Sequence, residues 1–336
     1  MSDAGVADPF GSGLVLGCRR DYRLLGVPFE FHSNSEALMA LVDAAYRGLP
    51  EHRLSHEAQV PRRVELRLGP ARTPGWLYAD EPPAPCMHGG ASLRLAVVDE
   101  ANLAAVQLAQ GLAVVHVSPA LLARPYHARH ELIEFAVYVL AQAATGLLPM
   151  HAGALATADG DGLLLVGDSG AGKSTLTLRA QQAGLQFLTE DSCFVHPQSL
   201  AMTGLSSWLH LRLDALRWIA EPALRERIMA SPVIRRRSGD EKYELDLRGG
   251  WARLAGEPPV LRQLVFASRE PAGGGPLLLP LDAEQRLQSL RLTQPYAAGH
   301  AGWAAFERAC LRLPAWQLRR GAHPDEAAQA LLRLLS

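Results

Sequence analysis

The stretch from Leu163 to Gly184 constrains this chain more than any other. Leu163-Leu164-Leu165-Val166 is apolar at every position, as in a short strand buried on both faces. Gly167-Asp168-Ser169-Gly170-Ala171-Gly172-Lys173-Ser174 follows at once, and Ser174 to Ala183 reads as a helix stopped by Gly184. A strand, a glycine-rich loop and a helix in that order match the pattern G-x-x-x-x-G-K-[ST] in its required context. Glycines let successive backbone N–H groups turn inward, and the helix adds the positive end of its dipole, so the loop is suited to an anion. Lys173 is placed for the β and γ phosphates of a nucleoside triphosphate, and the Ser174 hydroxyl for magnesium. The phosphate-contacting set is therefore Gly167, Asp168, Ser169, Gly170, Ala171, Gly172, Lys173, Ser174 and the adjoining Thr175, with ATP and Mg2+ as the expected cofactors.

The rest of the chain limits what such a loop can serve. The 336 residues suffice for two domains, and with 48% apolar residues a large core is available. A formal net charge of −1 offers no basic stripe, so nucleic acid is not an expected partner. Cys18, Cys86, Cys193 and Cys310 form no CxxC pair and no zinc spacing, which fits a reducing, cytoplasmic setting. Leu14 to Cys18 superficially resembles a lipoprotein cleavage site, but no basic residue precedes it and the apolar stretch is short. Leu132 to Leu148 is interrupted by Glu134, Gln142 and Thr145 and reads as a buried helix, so no membrane association is expected.

Of the 33 basic residues, only Lys173 and Lys242 are lysine. A lysine surviving among arginines marks a place where a compact ammonium serves and a planar fork does not. Lys242 therefore joins the phosphate-binding candidates. It ends the charged run Arg235-Arg236-Arg237-Ser238-Gly239-Asp240-Glu241-Lys242, which reads as a loop able to close as a lid.

Before residue 120, strand-like and helical segments (27–31, 35–47, 64–68, 92–98, 113–117) suggest a small α/β or mainly β module. The carboxy-terminal domain, 121–336, alternates strands and helices around the loop as an α/β fold. Trp208, Trp218 and Trp251 read as core or base-stacking residues.

Met150-His151-Ala152-Gly153 precedes the loop by about twenty residues through a β-hairpin, and Glu190-Asp191 follows Lys173 by 17 and 18 residues. Together with the loop, these features resemble the HPr kinase/phosphorylase family and its relatives, over roughly residues 130 to 200. The resemblance implies a P-loop kinase core of the HPr kinase/phosphoenolpyruvate carboxykinase type. It also implies ATP-dependent transfer of the γ-phosphoryl group to a serine-type hydroxyl of a peptide, protein or small molecule. The family has two aspartates where this chain has Glu190 and Asp191. By that alignment Glu190 is the expected base, Asp191 with Ser174 holds magnesium, and His151 contacts the acidic pair or the transferred phosphate. The amino-terminal domain, 1–120, is expected to recognise the acceptor or to build a homo-oligomer. The alternative is a non-kinase, a nucleotide-gated binding or assembly ATPase.

Overall fold

A computed structural model describes residues 13–54, 60–71, 73–77, 79, 81–168 and 170–336. The chain forms two compact units, Met1–Arg47 with Glu57–Thr145, and Gly48–His56 with Gly146–Ser336. The division thus falls after Thr145 rather than at residue 120. The apolar helix expected at 131–145 belongs to the first unit, because it packs on that unit's strands.

In the first unit the described residues form β1 (Cys18–Leu24), β2 (Val27–Ser33), β3 (Arg62–Leu68), β4 (Cys86–Gly89), β5 (Leu93–Asp99), β6 (Asn102–Gln107) and β7 (Leu112–Val117). They join one mixed sheet in the order β1-β2-β3-β7-β6-β5-β4. Helix α1 (Glu36–Tyr46) starts where the Ser35 hydroxyl accepts from the Leu38 amide, and buries Leu38, Met39, Val42 and Tyr46. Short turns α2 (Pro119–Leu122) and α3 (Pro125–His127) lead through a π-helical stretch into α4 (Glu134–Thr145), whose Ala136, Val137 and Leu140 are buried.

Among the described residues, the second unit is a mixed α/β assembly of three sheets. It comprises β8 (Leu148–His151), β9 (Gly153–Ala156), β10 (Asp161–Gly167), α5 (Lys173–Ala183), β11 (Gln186–Thr189), β12 (Ser192–Val195), β13 (Met202–Gly204) and β14 (Trp208–Arg212). After a 3₁₀ turn at Leu213–Trp218 come α6 (Pro222–Met229), β15 (Val233–Arg235), β16 (Glu241–Asp246), β17 (Val260–Pro271) and β18 (Leu278–Pro280). The chain ends with α7 (Ala283–Thr293), α8 (Pro295–Ala298), α9 (Trp303–Cys310), β19 (Ala315–Arg320) and α10 (Pro324–Leu335). The largest sheet runs β11-β9-β10-β17-β19-β18, with β10 parallel to β17 and β17 parallel to β19.

The uniform apolar run at 163–166 has its explanation here. Leu163 and Leu165 pack with Leu176, Ala180 and Leu331 on one face, while Leu164 and Val166 pack with Met150, Leu188 and Phe306 on the other. The segment 48–56 is tied to this unit by buried His52. Its Nε2 donates to the Ala255 carbonyl at 2.9 Å, and its Nδ1 accepts from the Thr203 hydroxyl at 2.8 Å. Among the described residues, no helix is long and apolar enough to cross a membrane.

Candidate functional site

The loop leaves β10 and enters α5 through Gly172, which adopts φ +88° and stands directly before Lys173. A residue with a Cβ is strained in that conformation. The helix begins at Lys173, one residue earlier than its expected start. Lys173 is buried, and its Nζ donates to the carbonyls of Gly167 at 2.5 Å and Asp168 at 3.3 Å. Burial lowers its proton affinity; the charges of Asp191 and Glu190 oppose that, and Lys242 adds to it. These influences place Glu190, Asp191 and Lys242 within electrostatic reach of Lys173. Asp168 is exposed, and Ser169 lies outside the described residues.

The acidic pair sits in the turn between β11 and β12, held close to β9. A Cβ on Gly153 would stand 3.0 Å from the Glu190 carbonyl oxygen, so a glycine is what permits this approach. The two carboxylates then part. Glu190 is buried, and its Oε1 accepts from the Ser174 hydroxyl. Its Oε2 accepts from the His210 backbone N–H at 2.7 Å and from His210 Nδ1 at 3.0 Å. His210 Nε2 donates in turn to Glu244 Oε1 at 3.1 Å, and His210 and Glu244 are direct partners across β14 and β16. Burial alone would raise the Glu190 pKa. The hydrogen bonds from His210 and Ser174 and the charge of His210 outweigh it and hold the carboxyl at about 2. Burial likewise opposes protonation of His210, but its two carboxylate partners prevail and raise its pKa. His210 thus bridges the two carboxylates, Nδ1 to Glu190 and Nε2 to Glu244, with Arg236 Nη2 3.2 Å from its Nδ1.

Asp191 faces outward. Its Oδ1 lies 3.3 Å from His151 Nδ1, with 38% of the Asp191 side chain and 58% of the His151 side chain exposed. The backbone of His151 is held by buried Gln294, whose Oε1 accepts from the His151 N–H at 2.8 Å and whose Nε2 donates to its carbonyl at 3.0 Å. Lys242 and Glu244 are two residues apart on β16, and alternation puts both on the same face. Directly opposite Lys242 stands Arg212. That guanidinium is itself paired with Asp240 at 2.8 Å and Asp214 at 3.5 Å, which offsets the like charge facing Lys242. The run expected as a loop is in the main the turn 236–240 between β15 and β16; only Arg235 at its start and Glu241 and Lys242 at its end belong to the strands.

Sequence reasoning therefore named Lys173, Ser174, Glu190, Asp191, His151 and Lys242, and these residues gather at one end of the loop. It missed His210, Glu244 and Gln294. The available signal was Leu209-His210-Leu211, a histidine within the alternation of a buried strand.

Comparison with solved structures returns the Hpr(Ser) kinase/phosphatase from Coxiella burnetii, at 12% identity and a TM-score of 0.25, covering 55% of this chain and 94% of that one. No family model and no curated protein matches the chain.

Proposed function

We propose that the second unit transfers the γ-phosphoryl group of a nucleoside triphosphate, in the presence of magnesium, to a hydroxyl-bearing acceptor. The observation that carries this reading is the division of the acidic pair, one carboxylate locked onto Ser174 and the other open beside His151. Bare nucleotide binding requires only the first. Group transfer also requires a group that takes a proton from the attacking hydroxyl.

Lys173 and Lys242 supply positive charge for the β and γ phosphates. The Ser174 hydroxyl and the acidic pair are hard oxygen donors, which suits magnesium. When bound there, magnesium neutralises charge on the phosphate oxygens. Among the described residues, no group of three or more His, Cys, Asp or Glu is arranged to hold a metal. One hydroxyl, a carboxylate and the phosphates themselves make up a common magnesium site.

The geometry favours exchanging the roles expected for the two acids. Both oxygens of Glu190 are committed to donors, and a carboxylate held at about 2 is a poor base. Asp191 is accessible and paired with His151, so it takes the hydroxyl proton as the new O–P bond forms and the bond to the β-phosphate oxygen breaks. Glu190 orients Ser174 toward magnesium. The first unit is assigned to acceptor recognition or homo-oligomer contact.

The test is a labelled-phosphate assay with hydroxyl acceptors, run beside bare hydrolysis. Asp191→Asn is expected to bind Mg-ATP as wild type does while transfer falls by roughly 10². Phosphate released only to water, whatever hydroxyl acceptor is supplied, would replace this reading with an ATPase.

A further inference from the structure

A cavity of about 490 Å3 opens beside the loop, at the end away from the acidic pair. It borders Gly170, Ala171, Gly172 and Thr175, while Ser174, Glu190 and Asp191 are not part of its wall. Its far side is made by the 3₁₀ turn carrying Asp214 and Trp218 and by the β19–α10 connection carrying His323. A triphosphate whose γ end meets Lys173 and Lys242 leads its other end past Thr175 into this space.

We infer that the cavity is a nucleoside site, in which Trp218 provides the wall for the base and Asp214 accepts from the ribose hydroxyls. The inference rests on the phosphate-binding reading above and extends it to the rest of the nucleotide. The volume is within the range of small-ligand pockets. The Trp218 ring already has close partners, with the Arg217 guanidinium over it at 4.8 Å from its centroid and His323 edge-on at 5.2 Å and 85°. A flat indole beside a cation and an imidazole suits an aromatic heterocycle, and base–aromatic stacking tolerates different bases. Asp214 adds an acceptor on the same turn; it is exposed and only loosely paired, with Arg212 at 3.5 Å and Arg217 at 4.0 Å, and is the kind of group that holds ribose hydroxyls elsewhere.

The walls are braced before any ligand arrives. Arg179 of α5, itself mostly buried, donates to Asp325 at the start of α10 and to Glu221 at the start of α6. One side chain thus ties the helix that follows the loop to α10, whose Pro324 and Ala327 line the cavity, and to Glu221, three residues beyond Trp218. Such bracing limits the ordering that binding would otherwise require.

Two measurements decide the matter. Photolysis of the full chain with 8-azido-ATP and magnesium, followed by trypsin, is expected to label the peptide from Trp218 to Arg225. Excess inorganic tripolyphosphate should suppress that label. In parallel, Trp218→Ala is expected to weaken Mg-ATP binding about tenfold, with Trp218→Phe within about threefold of wild type. Tripolyphosphate affinity should be the same in all three proteins. Label confined to other peptides overturns the inference, even if Trp218→Ala fails to fold. So does unchanged ATP affinity in a folded Trp218→Ala, and in both cases the phosphate reading stands if tripolyphosphate still binds. If the wild type binds neither ATP nor tripolyphosphate, the proposed function itself fails.

Discussion

Replacing Glu190 with glutamine tests the buried network directly. The Glu190 carboxyl is held at about 2 against an ordinary 4.5. At about 1.36 kcal/mol per pH unit, this corresponds to roughly 3 kcal/mol of preference for the ionised form in the folded state. Because the folded pKa lies below the unfolded one, that stability is present above pH 4.5 and is lost as pH falls toward 2. His210 is shifted the other way, so its share is present below its ordinary 6.5 and is lost as pH rises through its higher folded value. The contribution of the pair is therefore greatest between about 4.5 and 6.5 and remains substantial at pH 7. Glutamine still accepts from the His210 amide through its oxygen, so the variant is expected to lose roughly 2 to 3 kcal/mol at pH 7. Five of the six tryptophans lie in the second unit, so urea unfolding followed by tryptophan fluorescence reports mainly on the unit that contains Glu190. The gap between wild type and variant should be greatest between about pH 4.5 and 6.5 and narrow as pH falls below about 4.5. A gap below about 0.5 kcal/mol at pH 7, or one that fails to narrow below about pH 4.5, refutes the account. Magnesium titration of ATP binding in the same variant should show a raised magnesium requirement, because Ser174 loses the carboxylate that orients it.

Lys242→Ala is expected to reduce turnover more than tenfold with little change in melting temperature, since it removes charge from the phosphates and no ion pair that holds the fold; full activity would return Lys242 to the surface. Gln294→Leu removes both bonds to the His151 backbone, and should lower transfer about tenfold while Mg-ATP affinity stays at the wild-type value. Equal losses in both measurements would make Gln294 a general stability residue. His52 is kept neutral by burial, so the second unit should lose stability as pH falls through the ordinary histidine range near 6.5, and His52→Gln should flatten that loss in an acid-titrated melting curve.

How much of this was legible in the sequence depends on how local each feature is. The strand, loop and helix at 163–184 were readable because glycine placement, apolar burial on both faces and a helix stop are all written within about twenty residues. The scarcity of lysine led to Lys242, and the structure puts it within electrostatic reach of Lys173. The domain division was less legible. An apolar helix at 134–145 carries no mark of which sheet it covers, and nothing in residues 48–56 shows that His52 will bond to Thr203 and Ala255. Contacts between distant segments depend on strand register, which alternation alone leaves open. His210 meets Glu244 for that reason, and Gln294 reaches His151 across 143 residues of sequence.

The acidic pair shows where residue type misleads in the absence of direction. Glu190 is one methylene longer than an aspartate, and the resemblance made it the expected base. In the folded chain the same length carries the carboxylate inward, to the Ser174 hydroxyl and the His210 amide and ring. In the bend between β11 and β12 Glu190 turns inward while Asp191 faces out, where His151 meets it. Which of the two carboxylates turns inward is set by Gly153, which lets the turn approach β9, and by β14, which brings His210 to Glu190. A base must be open to its substrate, whereas a group that orients a magnesium-binding hydroxyl is best held by several donors in a buried place. On that physical ground the exposed, shorter acid is the better base, and the longer acid is the better anchor.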